Sequence, residues 1–407
     1  MLKNLAIYVY TLTQPIFNNP ETDMLASLNF WNTILALEAV FAFVLFVFLI
    51  KLSIKTKVYL PLLVFTFLSF AEFTILALIH FGAIEYFPHL IYINEPFFML
   101  FGLLLFLYAR SQVYQQFFFR KNDLLFFVPF VLAFITYLPD FLETSTEKLA
   151  LLSNEGDTGF DIVQYIWEWN FYLVVNIFFL VRAMKELRVY DFKLKAQHSN
   201  IKDSSLYFTQ LLIKVCLGFY IVELVFVYLT YYGFPHYNQI YLSLNLLTGI
   251  VLLLVNIDAI KSHRQIFQNQ LSQIKLPVIT KNELGKREIK YASSGLNEES
   301  SKKIEVSLLQ FMEERKPYLE PQLRIKDLSA LTEIPVHHIS QVLNQSFDKN
   351  FYEFINEYRI KEAMRLLKNP KYQDYTYESI AFEVGFNSRS AFYNAFKKIN
   401  NTTPSRL

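Results

Sequence analysis

The sequence predicts an all-α chain in two parts: a polytopic helical membrane domain of about seven spans, then a small domain of short amphipathic helices. Three observations carry this prediction. The 42 phenylalanines lie mostly before about residue 260, in runs such as Val40–Ile50, Val58–Phe70, Phe97–Tyr108 and Phe171–Val181. Charged residues crowd the chain from Lys261 onward. Beyond Ser301 the apolar residues recur at helical spacing, and no strand-like alternation is present.

A helix needs about 20 apolar residues to cross a hydrocarbon core, because every backbone amide must be bonded internally where there is no water. Seven segments meet or approach that length: Phe30–Ile50, Val58–Phe81, Leu90–Tyr108, Leu124–Leu142, Ile162–Val181, Leu206–Tyr231 and Tyr237–Ile257. Met1–Asn29 reads as a segment outside the bilayer; it has no small-residue cleavage site that would mark a signal peptide.

Loop charges set the direction, since Lys and Arg resist translocation. One set of loops carries Lys51, Lys55 and Lys57, then Arg110, Arg120 and Lys121, then Arg182, Lys185, Arg188, Lys193, Lys195 and Lys202. The opposite set carries Glu85, then Asp140, Glu143, Glu147, Glu155, Asp157 and Asp161 with Lys148, then the uncharged Gly233–Asn238 turn. The basic set is therefore cytoplasmic, with the N-terminus outside and everything after Ile257 inside. Pro139 and Asp140 interrupt the fourth segment, but the basic loops on both sides of it demand two crossings between them. Such a charge pattern reads as a multi-pass membrane protein in contact with lipid.

Ionisable groups inside spans are costly, so Glu38, Glu72, Lys214 and Glu223 are candidate sensing residues for a small-molecule or envelope signal. Interhelical hydrogen bonding or snorkelling is the competing reading for each. Trp167 and Trp169 read as interfacial anchors. The single cysteine, Cys216, sits in an apolar run and excludes an intrachain disulfide scaffold. No His/Cys/Asp/Glu cluster has metal spacing, no Gly-rich phosphate loop is present, and the seven histidines are scattered, so the reading assigns no catalytic residue, metal or cofactor.

Between Lys261 and Ser300 the composition turns to Gln, Ser, Lys and Glu, with Pro277, Gly285 and Gly295 as breakers. This reads as a helix leaving the membrane to about Lys275, then an irregular cytoplasmic tether. Lys281, Lys286, Arg287 and Lys290 fit either a solvated linker or contact with anionic lipid.

In the last part, residues 301–407, the spacing predicts helices over Lys302–Lys316, Ile325–Leu331, Val336–Asn344, Phe351–Leu367, Tyr377–Val384 and Ser388–Ile399. Two helix-turn-helix units result. The first buries Ile325, Leu328 and Leu331, turns through Glu333–Pro335, and buries Ile339, Val342 and Leu343; His337, Ser340, Gln341 and Asn344 then point outward. The second turns at Gly385, and its second helix points Arg389, Ser390, Tyr393, Asn394 and Lys397 outward, with Phe386, Phe392 and Phe396 in the core.

Three blocks carry a resemblance to a known family. They are Ser379-Ile-Ala-Phe-Glu-Val-Gly-Phe-Asn-Ser-Arg-Ser-Ala-Phe-Tyr-Asn-Ala-Phe-Lys-Lys, the following Thr402-Thr-Pro-Ser-Arg, and Phe351-Tyr-Glu-Phe-Ile-Asn-Glu-Tyr-Arg-Ile-Lys-Glu-Ala-Met-Arg-Leu-Leu. Together they resemble the DNA-binding domain of the AraC family of bacterial transcription regulators, over about Lys302–Leu407. Asn401 departs from the glycine common before the Thr-Pro signature. The resemblance implies sequence-specific binding of double-stranded promoter DNA, with Val336–Asn344 and Ser388–Lys398 as recognition helices in successive major grooves. On that basis His337, Ser340 and Gln341, and then Arg389, Tyr393 and Asn394, reach base edges. Lys397 and Lys398 bind phosphates, helped by the helix N-terminus at Ser388. A solvent-facing His337 and an internally packed Tyr393 are the plainer alternatives.

Residues 301–407 hold 16 Lys/Arg against 13 Asp/Glu, a mild excess that makes two domain copies, a homodimer, the expected binding unit. RNA polymerase is the further partner that such a regulator implies. The competing function is a transporter or membrane enzyme with a DNA-binding regulatory tail; a third version releases the tail by proteolysis in the linker.

Overall fold

The computed structural model describes residues 22–153, 162–201, 206–231, 248–255, 257–262 and 297–406. Among these residues the chain is all-α and contains no strand. The chain divides into two compact units, Met1–Leu187 with Leu206–Gln268, and Arg188–Ser205 with Asn269–Leu407.

The first unit contains α1 (Thr22–Lys55), α2 (Leu60–His80), α3 (Phe101–Tyr114), α4 (Val128–Phe141), α5 (Ser145–Ser153), most of α6 (Ile162–Gln197) and α7 (Tyr207–Tyr231), with further helical residues at 248–255 and 257–262. Among the described residues five helical stretches are long and apolar enough to cross a membrane: Asn32–Lys55, Lys57–His80, Pro88–Tyr114, Lys121–Phe141 and Tyr207–Val225. They correspond to the first four and the sixth expected segments. The seventh, Tyr237–Ile257, lies partly outside the described residues, as does the expected linker over 261–300.

The third segment differs from the uninterrupted helix expected over Leu90–Tyr108. Short 3-10 turns at Pro88–Leu90 and Glu95–Leu100 precede α3, because Pro88 and Pro96 each lack the N–H a continuing α-helix would use. Gly102 then lets α3 approach α6 closely. A Cβ at Gly102 would lie 2.7 Å from the Asn176 Cα, while the Gly102 amide donates to Asn176 Oδ1 at 2.5 Å and Asn176 Nδ2 donates to the Tyr172 and Phe98 carbonyls.

Several polar groups inside this unit are paired across helices, which offsets the cost of burying them in a low dielectric. The Arg110 guanidinium meets the Asp123 carboxylate at 3.0 Å, with both side chains buried. Asp258 accepts from Tyr108 at 2.7 Å and from Thr209 at 3.0 Å, and Ser262 receives Gln112 Nε2 at 3.2 Å.

In the second unit α8 (Glu298–Arg315), α9 (Ile325–Thr332), α10 (Val336–Phe347), α11 (Phe351–Leu367), α12 (Tyr377–Glu383) and α13 (Arg389–Asn400) follow in order. Local chemistry sets their limits. Asn297, Asn350, Thr376 and Ser388 each cap a helix start by accepting a backbone N–H; at Asn350 the bond is reciprocated by Glu353 in a capping box. Lys316, Glu333, Asp348 and Asn401 stop helices in the left-handed conformation, with φ between 48° and 58°.

Two cores result. Leu308, Met312, Leu323, Leu328, Ile339 and Phe354 are among those filling the first, and Ile360, Ile380, Val384, Phe386, Phe392 and Phe396 the second. Because α11 contributes Phe351, Phe354 and Ile355 to one and Ile360, Ala363 and Leu366 to the other, it joins the two halves. One expected core residue is corrected: Leu331 is 58% exposed. α9 is only two turns long and turns aside at Glu333, so its last apolar residue lies beyond the stripe that Ile325 and Leu328 bury.

Candidate nucleic-acid interface

Each half presents a short helix whose apolar stripe is buried and whose opposite side meets solvent. In α10 Ile339 and Leu343 enter the first core and Val342 is buried, while His337 and Asn344 are exposed and Ser340 is half-buried. Asn344 Nδ2 donates back to the Ser340 carbonyl at 2.6 Å. The His337 and His338 rings stand 4.1 Å apart; burial first, and His337 second, push the His338 imidazole below its ordinary pKa.

Gln341 does not face outward here. It is 5% exposed, and its Nε2 donates to Gln345 Oε1 at 3.1 Å. α8 packs on α10, a neighbour that lies outside the two-helix motif from which the outward set was read.

In α13 Arg389, Ser390, Asn394, Lys397 and Lys398 are exposed, and Tyr393 is half-buried. The Arg389 guanidinium lies 5.1 Å from the Tyr393 ring centroid, a cation–π contact that favours this position by ~0.5–1 kcal/mol at an exposed site. Tyr393 also meets Tyr377 and Phe392 edge-on and hydrogen-bonds Ser405 at 3.3 Å. The Ser405 bond, with Arg389 beside it, holds the Tyr393 phenol below its usual pKa. Ser388 Oγ accepts from the Ala391 amide at 3.3 Å, so the helix N-terminus is formed and capped. Lys397 extends into solvent, whereas Lys398 donates to Glu353 Oε1 at 2.6 Å and is engaged within the domain.

Residues 328–407 match a protein family described as Helix-turn-helix domain. The match supports a DNA-binding regulator of AraC type, with double-stranded DNA as its partner. It spans α10, α11, α12 and α13 and the last five residues of α9, so the matched stretch contains the second helix pair and most of the first. Comparison with curated proteins and with solved structures gave no match.

The four candidate sensing residues lie apart from this surface in the sequence and differ in setting. Glu38 is buried, and Gly249 abuts it so closely that an added Cβ would collide with the carboxylate. Glu72 accepts from Asn94 Nδ2 at 2.5 Å, Glu223 is half-buried, and Lys214 is exposed on its helix. Tyr172 lies within electrostatic reach of both Glu223 and Glu72. The same tyrosine lines a cavity of about 140 Å³ with Glu95, Phe98, Tyr137 and Trp169, a site that hydropathy alone could not reveal. Among the described residues no His/Cys/Asp/Glu group could hold a metal ion.

Proposed function

We propose that this chain is a membrane-anchored one-component transcriptional regulator of a bacterial inner membrane. In this reading a signal received by a seven-helix membrane domain changes how a cytoplasmic pair of helix-turn-helix units reads promoter DNA. The observation that carries it is the helix-turn-helix match over 328–407 on a chain that also holds five apolar helices of spanning length. Two further crossings, at Ile162–Val181 and Tyr237–Ile257, complete the alternation of loop charge and leave the N-terminus outside and the DNA-binding domain inside.

The recognition residues follow from exposure and chemistry. Arg389, held against Tyr393, suits guanine, and Asn394 suits adenine. His337, Ser340 and Asn344 serve the first half-site with Ser388 and Ser390 beside the second; Gln341 joins by rotating outward on binding. Lys397 takes a phosphate, and Lys398 does so once it leaves Glu353. Two copies bind together, because the mild basic excess of one domain gives weak attachment, and RNA polymerase is recruited at the promoter. The cavity at Tyr172, with Glu72 and Glu223 nearby, is where this reading puts the input.

Genome-wide crosslinking of the tagged full-length chain tests the proposal against a variant carrying Gln341→Ala, Arg389→Ala and Asn394→Ala. Sharp sites present in the first and lost in the second are the expected result. Equal enrichment in both would remove these residues from the readout, and none in either across growth conditions would move the principal function to the membrane half.

A further inference from the structure

The seam between the two helix-turn-helix halves has a third participant. Arg359, 1% exposed, sits in α11 between the residues that fill the two cores. Its Nε donates to the Tyr318 carbonyl at 2.7 Å and its Nη2 to the Glu320 carbonyl at 2.7 Å, both in the first half. The guanidinium also lies 5.6 Å from the ring centroid of Phe386, in the second half. Gly385, at φ +90°, brings the second half so close that a Cβ would stand 2.7 Å from the Tyr318 oxygen and 2.8 Å from that of Leu319. The halves therefore meet through backbone carbonyls and one guanidinium.

The remaining donors go mainly to Ser199, in the segment that follows α6. Arg359 Nη1 donates to the Ser199 carbonyl at 3.3 Å and to Asn356 Oδ1 at 3.3 Å; Nη2 donates to Ser199 Oγ at 3.1 Å. The Ser199 amide and hydroxyl both donate to the Leu323 carbonyl, at 3.1 and 2.7 Å, and His198 pairs with Arg324 as an antiparallel bridge. Ser199 is itself 1% exposed.

All five acceptors around the guanidinium are carbonyls, an amide or a hydroxyl. Water can replace such partners when Ser199 withdraws, so docking exchanges one set of neutral bonds for another and is worth a few-fold in an equilibrium, not a permanent lock. His198 follows Gln197, the last residue of α6, directly. A turn or slide of that helix thus moves the latch residues without an intervening flexible loop.

We propose that the segment 188–201 is a regulatory latch that carries the position of α6 to the DNA-binding domain. Docked, it holds the Arg359 seam and fixes the spacing of α10 and α13; withdrawn, it loosens that spacing and weakens binding to a two-part site. This rests on the DNA-binding reading above.

The test uses the full chain in lipid nanodiscs, carrying His198→Cys and Arg324→Cys in a Cys216→Ser background. Bridge partners in antiparallel register have Cα atoms about 4.5–5.5 Å apart, within disulfide range. Oxidised and dithiothreitol-reduced samples of the same protein are compared on a duplex that the wild-type chain selects from a random pool, with amide exchange followed at Leu319–Leu323 and Gly385–Phe386. The disulfide should form, the oxidised form should bind about fivefold tighter, and exchange at the seam should slow. Ser199→Pro, which removes the amide and hydroxyl bonds, should bind about fivefold more weakly than wild type. Failure of the disulfide to form, equal affinity with unchanged exchange, or tighter binding by the reduced form would each overturn the latch. If exchange responds to oxidation while neither form binds any duplex, the latch stands and the DNA-binding reading falls.

Discussion

Gly385→Ala offers a direct measure of how tightly the two helix-turn-helix halves are apposed. The residue has φ +90°, and a methyl group there would stand 2.7 Å from the Tyr318 oxygen, 2.8 Å from the Leu319 oxygen and 3.0 Å from Arg359 Nε. Left-handed backbone costs a non-glycine residue ~1–2 kcal/mol. Overpacking against atoms that cannot rotate away adds ~1–3 kcal/mol, and here the two nearest atoms are backbone. The sum is about 2–5 kcal/mol, which at a urea dependence of about 2 kcal/mol per molar lowers the unfolding midpoint of the second unit by about 1–2.5 M. Asn401→Ala is an uncrowded left-handed control: Asn401 has φ +55°, is exposed and already carries a Cβ, so the change should cost no more than ~1 kcal/mol. Pulse proteolysis of the full chain across a urea series, read at a C-terminal tag, reports both midpoints. A shift for Gly385→Ala no larger than that for Asn401→Ala would show that the seam has room, and the close approach of Gly385 to the Tyr318 and Leu319 carbonyls would have to be abandoned.

Other outcomes follow from individual side chains. The Arg365 hydrogen bond, aided by Lys316 and opposed by burial, holds the Glu362 carboxyl below its ordinary 4.5. A carboxylate whose folded pKa is depressed contributes stability that is complete above the unfolded value and lost as pH falls beneath it. The urea midpoint of the second unit should therefore decline below about pH 4.5, and Glu362→Gln should flatten that decline; an identical pH profile for the variant would contradict the assignment. Lys397→Ala should weaken DNA binding uniformly across sequences and lower the slope of log affinity against log salt by about 1. Glu353→Gln keeps the capping box at Asn350 but frees Lys398, so it should raise affinity and steepen the salt dependence, and no change in slope would leave Lys398 without a phosphate. In the first unit Gly102→Ala should lower thermal stability in nanodiscs, because its Cβ would meet the Asn176 backbone, while Gly218→Ala, with nothing within 4 Å, should not.

The helix limits of the second unit were largely legible from local chemistry. Phe351–Leu367 was anticipated to the residue, and the capping chemistry of Thr376 and Ser388 lies within one turn of each helix start. Phe386, Phe392 and Phe396 were legible as core from helical spacing alone. Gln341 and Leu331 show where periodicity stops informing. The first is covered despite lying off the apolar stripe, and the second is exposed despite lying on it; what each side chain meets depends on elements distant in sequence. Lys398 reads as a free cation until folding brings Glu353, 45 positions away, to 2.6 Å.

By itself the sequence determined the division between apolar and polar halves, the all-α class and the two helix-turn-helix units. Each of these depends on hydrophobic period, charge placement or capping within a few residues. Tertiary structure decided which exposed groups remain free, where the Tyr172 cavity lies, and that Arg188–Ser205 belongs to the unit containing α8–α13. Among the contacts behind that last assignment, the guanidinium at position 359 meets a serine at 199, 160 positions apart. No local pattern encodes such a meeting, because hydrogen-bond partners across long separations are chosen by the packed geometry of the whole chain.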